Sequence, residues 1–191
     1  MIIGITGGTG CGKTTALGII RDLGGQIIDC DQVYHRLLIS DKALLSAIEA
    51  RFPGTVADGV LQRRELAKRV FQDPKELAAL NAITHPAVKE EVLRMLPPVP
   101  GLAAIDAIEL FAGDLSQLCD VTVAVTAPEE DRITRLMQRD GLTEELARMR
   151  IAAQKPAEYF RKNCDYVLEN DTTQEDFQKK CLAFFQNLLI I

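Results

Sequence analysis

Residues Thr6 to Thr15 constrain this chain more than any other stretch. They read Thr6-Gly7-Gly8-Thr9-Gly10-Cys11-Gly12-Lys13-Thr14-Thr15, and Gly7 to Thr14 fit the pattern G-x-x-x-x-G-K-[ST]. Glycine carries no Cβ, so the backbone can close around an anion and turn its N–H groups inward. Lys13 brings a positive charge to the β- and γ-phosphates, and the Thr14 hydroxyl suits Mg²⁺. The flanks agree. Met1 to Thr6 is an apolar run of strand type, and Ala16 to Leu23 carries apolar residues at helical spacing. Strand, glycine-rich loop and helix is the setting this pattern needs, and the helix dipole adds to the anion attraction. Gly8, Thr9, Gly10, Cys11, Gly12, Lys13, Thr14 and Thr15 are therefore the expected nucleotide contacts.

Leu23-Gly24-Gly25 closes that helix, and Gln26 to Asp29 reads as a second strand ending in Asp29-Cys30-Asp31. Open α/β sheets place their chemistry beyond the carboxyl ends of strands. Asp31 is expected to act on substrate. Asp29 reads as a substrate contact, as a cap for the helix that follows or as a salt-bridge partner.

From Ser40 to Leu96 the pattern is helical without strand signals. Helices are expected over Lys42–Phe52, Arg63–Phe71, Asp73-Pro74 to Ile83, and Ala87–Leu96, with Asp58-Gly59 as a turn. This stretch is too long for a plain crossover and reads as an inserted helical domain. Within it, Arg63 and Arg64 either form a phosphate contact or lie on a solvated helix face. His85, before Pro86, is a helix cap, an orienting group or a structural histidine.

Pro97 to Gly101 reads as a linker. Leu102 to Asp106 is a buried-type strand ending in an acid, the place of a second Mg²⁺-side carboxylate or of an ordinary strand end. Val121–Val125 and Tyr166–Leu168 are further strands. On the helix after Pro128, Arg132, Arg135 and Arg139 share a face, and Arg148 and Arg150 follow on the next helix. Together they read as a basic lid over phosphates; singly, each is a solvated helix residue. The last helix, about Gln174 to Leu189, places Phe177, Cys181, Phe184 and Leu188 on its packed stripe.

Composition narrows the class. The chain has 191 residues, 47% hydrophobic and 26% charged, with a net charge of −5. That argues against a general nucleic-acid or acidic-membrane binder. No apolar run reaches spanning length. The start at Met1-Ile2-Ile3-Gly4 leads into a strand, so no signal peptide is expected. The cysteines, at 11, 30, 119, 164 and 181, are odd in number and lack C-x-x-C spacing. A reduced, cytoplasmic protein is expected. Cys11 is either an oxidisable thiol in the loop or a small residue at a variable position.

With these residues laid out, the chain resembles the dephospho-CoA kinases of the P-loop proteins, over nearly its whole length. The motifs are T-G-G-x-x-x-G-K-[ST]-T at Thr6–Thr15, D-x-D at Asp29-Cys30-Asp31, and G-x-L-x-R-R-x-L at Gly59–Leu66. To these add His85-Pro86, a lid segment from Gln138-Arg139-Asp140 to Arg150–Gln154, and the late Asn170. One stretch departs. Where the family commonly has P-L-L-x-E, this chain has Ile108-Glu109-Leu110-Phe111-Ala112, so Ala112 is given no role.

The resemblance implies an α/β, three-layer P-loop fold: a five-stranded parallel sheet, an inserted helical substrate domain and a helical lid. The expected core is 1–39, 98–138 and 155–191, the insert 40–97 and the lid 139–154. The implied reaction moves the ATP γ-phosphoryl to the 3′-hydroxyl of dephospho-CoA, with Mg²⁺ as cofactor and neither nucleic acid nor membrane as partner. Asp31, Lys13 and Arg139 would be catalytic. Asn170 would join the ATP contacts. Asp29, Arg63, Arg64 and His85 would meet the acceptor, and Thr14 and Asp106 would hold the metal. Another small-molecule P-loop kinase is the alternative. A regulatory GTPase would need a guanine-reading N-K-x-D, which the sequence lacks.

Overall fold

The computed structural model describes residues 1–98 and 101–190. Val99 and Pro100 of the expected linker, and Ile191, lie outside the described residues. The chain begins with β1 (Ile2–Thr6), α1 (Lys13–Asp22), β2 (Gln26–Asp29), α2 (Cys30–Ser40) and α3 (Lys42–Arg51). A small hairpin, β3 (Val56–Ala57) and β4 (Val60–Leu61), leads to α4 (Arg63–Val70) and α5 (Pro74–Met95). Then come β5 (Ala103–Asp106), a 3₁₀ turn (Leu115–Leu118), β6 (Val121–Thr126), α6 (Glu129–Asp140) and α7 (Glu144–Ala152). The chain ends with α8 (Ala157–Asn163), β7 (Tyr166–Glu169) and α9 (Gln174–Ile190).

The main sheet has five strands in the order β2-β5-β1-β6-β7. All four pairings are parallel. Parallel sheets need both faces covered, and the three inner strands are largely apolar as that demands, while the edge strands β2 and β7 carry exposed Gln26 and Glu169. All six residues of β6, Val-Thr-Val-Ala-Val-Thr, are buried. Alternation assigns the faces. In β5, Ile105 joins the core made with α2–α5, and Ala104 joins the core made with α1 and α9. Phe177, Cys181, Phe185 and Leu188 of α9 fill the second core, where each large apolar side chain contributes about 1.5–3 kcal/mol by leaving water. A third, small cluster of Ile133, Leu136, Ala147 and Ile151 joins α6 to α7.

The arrangement is the expected three layers, with four local differences. Pro74–Met95 is one helix, not two, and His85 therefore caps nothing. An interior proline loses a backbone bond and crowds the preceding turn, costing about 3 kcal/mol or more. Here Leu80, Thr84, Val88 and Val92 recur every four residues and are all buried, while Pro86 faces solvent. Burial of that stripe outweighs the break. The hairpin is the second difference. Asp58 (φ 51°) and Gly59 (φ 75°) form its turn, with two-residue strands too short to leave a period. Third, α9 buries Phe185 where Phe184 was expected; Phe184 is half-buried and stacks edge-on with Tyr166, ring centres 5.3 Å apart. Fourth, α8 has no counterpart among the expected helices. No helix among the described residues is long and apolar enough to cross a membrane.

Candidate active site

The glycine-rich loop leaves the carboxyl end of β1, the central strand, and enters α1 at Lys13. Two glycines are fixed by geometry. Gly7 has φ 136° and Gly12 φ 100°, both hostile to L side chains. A Cβ at Gly7 would strike the Val125 carbonyl oxygen, and one at Gly12 the Asn170 amide. Lys13 Nζ donates to the Gly7 carbonyl at 3.0 Å, so its charge sits over the loop.

The loop is held from below by side chains of other elements. Asn170, 6% exposed, donates from Nδ2 to the Cys11 carbonyl at 2.9 Å. It is not among the residues lining the cavity above the loop; the contact it makes is to the loop itself. Arg132, 8% exposed, donates from Nε to the Thr9 carbonyl at 2.9 Å and from Nη2 to Gln154 Oε1 at 3.2 Å. Gln154 Oε1 also accepts the Thr9 N–H at 2.8 Å. Among the described residues Arg132 makes no ion pair, so a buried guanidinium lies under the phosphate loop uncancelled. Arg135 Nη1 donates to the Gly10 carbonyl at 3.1 Å. The sequence shows a basic helix face, but it conceals this division of labour. Arg132 and Gln154 brace the loop, while Arg135, Arg139 and Arg150 line the cavity. Arg148 turns away into ion pairs with Glu129, Glu130 and Glu144.

That cavity has a volume of about 570 Å³. Its walls are residues Gly8 to Thr14, Asp106, Ile108, Arg135, Gln138, Arg139 and Arg150. Thr15 is half-buried within α1. Cys11 is 3% exposed, which disfavours an oxidisable thiol and suits a small filler. Arg139 pairs with Asp140 through two bonds of 2.7 and 2.9 Å, and Arg150 reaches the same carboxylate at 2.9 Å. Asp140, its carboxyl held below the usual range chiefly by the Arg139 bond, thus clasps two guanidinium groups at the cavity edge.

A second cavity, about 270 Å³, opens on the other side of Ile108, which lines both. It contains Asp31, His85 and Glu109, so the departing stretch after β5 supplies two wall residues, Ile108 and Glu109. Asp29 caps α2. Its Oδ1 accepts the Gln32 N–H at 3.0 Å and its Oδ2 the Gln32 side chain at 2.9 Å. Arg63 and Arg64 line neither cavity. They start α4 on the exposed side, where Arg63 Nη1 lies 3.5 Å from His35 Nδ1. In the wall of the loop cavity, the Asp106 carboxyl is pushed up to about 6. Burial is the main cause; Lys13 opposes it, and the charges of Asp29 and Asp31 add to it. The Cys30 thiol is raised to about 12 by burial and then by Asp106 and Asp31, so it stays protonated.

These two cavities, one basic and loop-lined, one largely apolar with Asp31 and Glu109 in its wall, share Ile108, and they sit in a chain that matches known proteins along nearly its whole length. The family model for dephospho-CoA kinase matches residues 1–176. A dephospho-CoA kinase of Thermus thermophilus is 36% identical over 192 residues, covering 98% of this chain and 92% of the relative. A crystal structure from Thermus thermophilus superposes with a TM-score of 0.77 at 36% identity, covering 98% of this chain and 97% of that one. Shikimate kinase from Bacteroides thetaiotaomicron shares the fold at TM-score 0.60 and 16% identity, covering 100% and 99% of the two chains. With the loop, the Asp-x-Asp strand end and the α6–α7 arginines all inside the matched span, the chain belongs to the dephospho-CoA kinase family.

Proposed function

We propose that this protein transfers the γ-phosphoryl group of ATP to the 3′-hydroxyl of dephospho-CoA, with Mg²⁺. The observation that carries this reading is the contact of the two cavities at Ile108. A donor held in the loop cavity and an acceptor held beside Asp31 would meet there. Phosphoryl transfer needs alignment and charge neutralisation more than covalent help. Lys13 supplies charge at the transferring group and the loop amides hold the phosphates. Asp31 accepts the hydroxyl proton or holds it in line. Arg139, with Arg135 and Arg150, closes the outer side and helps exclude water, since an open site would hydrolyse ATP.

Thr14 and Asp106 fit a Mg²⁺ site. Both line the loop cavity, and a half-buried carboxyl crowded by two others favours a divalent cation. Among the described residues no three acidic, histidine or cysteine side chains are grouped to hold a metal alone. Mg²⁺ commonly takes one or two protein ligands plus substrate phosphates. The ion, when bound, would neutralise charge developing on the phosphates. Asp29 serves the acceptor side indirectly by capping α2, and Arg63, Arg64 and His85 remain candidates for the acceptor. In this reading 40–97 is the acceptor insert, sharing its core with α2, and 139–154 is the lid.

An acceptor panel tests the reading: dephospho-CoA, nucleosides, shikimate and no acceptor, with ATP and Mg²⁺, reading ADP and product mass. Dephospho-CoA should dominate, and its product should gain one phosphoryl group. Equal turnover of a nucleoside or of shikimate would favour another small-molecule kinase, and equal ADP without acceptor a hydrolase.

Arg139→Ala should lower transfer at least tenfold and leave the melting temperature near the parent's. The side chain is 59% exposed, and exposed ion pairs contribute about 0–1 kcal/mol. A large fall in melting temperature with normal turnover would make Arg139 structural.

Asp106 gives a pH signature. Its folded pKa, about 6, lies above the unfolded value of 3.8, so it costs stability as pH rises from about 4 to about 6. The penalty is absent below the lower value and complete above the upper. In chelator, Asp106→Asn should melt higher than the parent at pH 7, by roughly 1–3 kcal/mol of stability, with the gap closing near pH 4. A gap that is constant with pH would contradict this.

A further inference from the structure

We infer that the cavity beside Asp31 is a purine subsite, taking the adenine of the acceptor, with Asn81 reading its hydrogen-bonding edge. The inference rests on the acceptor reading above and adds which part of the acceptor enters, and what selects it.

Chemistry removes the other parts. Dephospho-CoA offers three: adenine on the reacting ribose, a diphosphate on the 5′ carbon, and a pantetheine arm beyond the diphosphate. No lysine or arginine lines this cavity, which instead carries the carboxylates of Asp31 and Glu109. A diphosphate would be repelled there. The pantetheine arm is joined through that diphosphate, so it cannot enter while the 3′-hydroxyl stands at Asp31. The base hangs from the same ribose as that hydroxyl and can. The volume agrees, since about 270 Å³ falls just below the usual range of about 300–1,000 Å³ for whole-ligand pockets. It fits a fragment. Arg63 does not line the cavity but is close enough for its charge to act on Tyr34 at the cavity wall. The diphosphate then lies toward α4.

The walls suit a flat heterocycle. Leu77, Leu80 and Val88 give apolar faces, and Tyr34 and Phe71 give aromatic ones. Phe71 is 78% exposed although it lines the cavity, so it stands at the mouth as an uncovered stacking surface. Asn81 and Thr84 lie three apart on α5 and therefore on one face. Thr84 is 2% exposed, and no hydrogen bond among the described residues engages either side chain's polar atoms. An asparagine amide both donates and accepts, the complement of adenine N7 and its exocyclic amino group. Hypoxanthine replaces that amino donor with a carbonyl.

The test compares dephospho-CoA with its hypoxanthine analogue in the parent, Asn81→Leu and Phe71→Ala, by steady-state kinetics. The parent should favour the adenine acceptor at least tenfold in kcat/KM. Asn81→Leu should lose at least tenfold on dephospho-CoA, hold the KM for ATP within twofold, and treat the two acceptors nearly alike. Phe71→Ala, exposed and so safe for folding, should raise the acceptor KM at least fivefold at unchanged kcat. If both variants keep the parent's acceptor KM and base preference, the subsite is overturned while the reaction stands. If the parent phosphorylates some other acceptor and not dephospho-CoA, the functional reading falls and this one with it.

Discussion

Asp31→Asn should lower kcat by roughly 10²-fold or more while binding ATP and dephospho-CoA within about threefold of the parent. Asp31 is the second residue of α2, directly after β2, and so stands at the carboxyl edge of the sheet. It is exposed in the wall of the smaller cavity rather than tied to a neighbour. An attacking hydroxyl must lose its proton, and a positioned base contributes about 10²–10⁴-fold, roughly 3–5 kcal/mol. The amide keeps the shape and loses the basic oxygen. Asp29→Asn should be milder in kcat, because Asp29 already commits both oxygens to Gln32. Both variants measured at saturating substrate decide the assignment. A larger loss at Asp29 would move the base there, and near-parental kcat in Asp31→Asn would remove Asp31 from the chemistry.

Lys13→Ala should cost rate, again by roughly 10²-fold or more, the scale of removing a preorganised donor from a transition state. Its ammonium spans the loop at the Gly7 carbonyl and is the charge that pulls the Asp106 carboxyl down. Losing it leaves the phosphates without that charge and lets Asp106 rise further. The KM for ATP should change less than kcat if the charge mainly meets the transferring group. Turnover equal to the parent's would make the loop assignment wrong.

The loop, Asp31 and the apolar runs of the sheet were legible because local rules write them. Positive-φ glycines, a strand's carboxyl end and an apolar period each leave a mark in consecutive residues. The same is true of Asp29, whose capping reading holds because a cap is set by a neighbour three residues on. The hold of Asn170 on the loop was not legible. Its partner, the Cys11 carbonyl, is 159 residues away in sequence. Arg132, Arg135 and Arg139 look alike on one helical face. Only the packing of α6 under the loop turns Arg132 inward and leaves Arg139 at the cavity edge.

The sequence by itself determined the phosphate cradle, the α/β class and the carboxylate after the second strand, since each depends on contacts within a few residues. The tertiary structure decided the rest. It carried one helix through Pro86, because a buried stripe against α2, α3 and α4 outweighs one lost backbone bond. It also set Asp106 among Asp29, Asp31 and Lys13, where burial and nearby charge raise its pKa. Desolvation and long-range charge depend on which residues meet in space, and chain order does not record that.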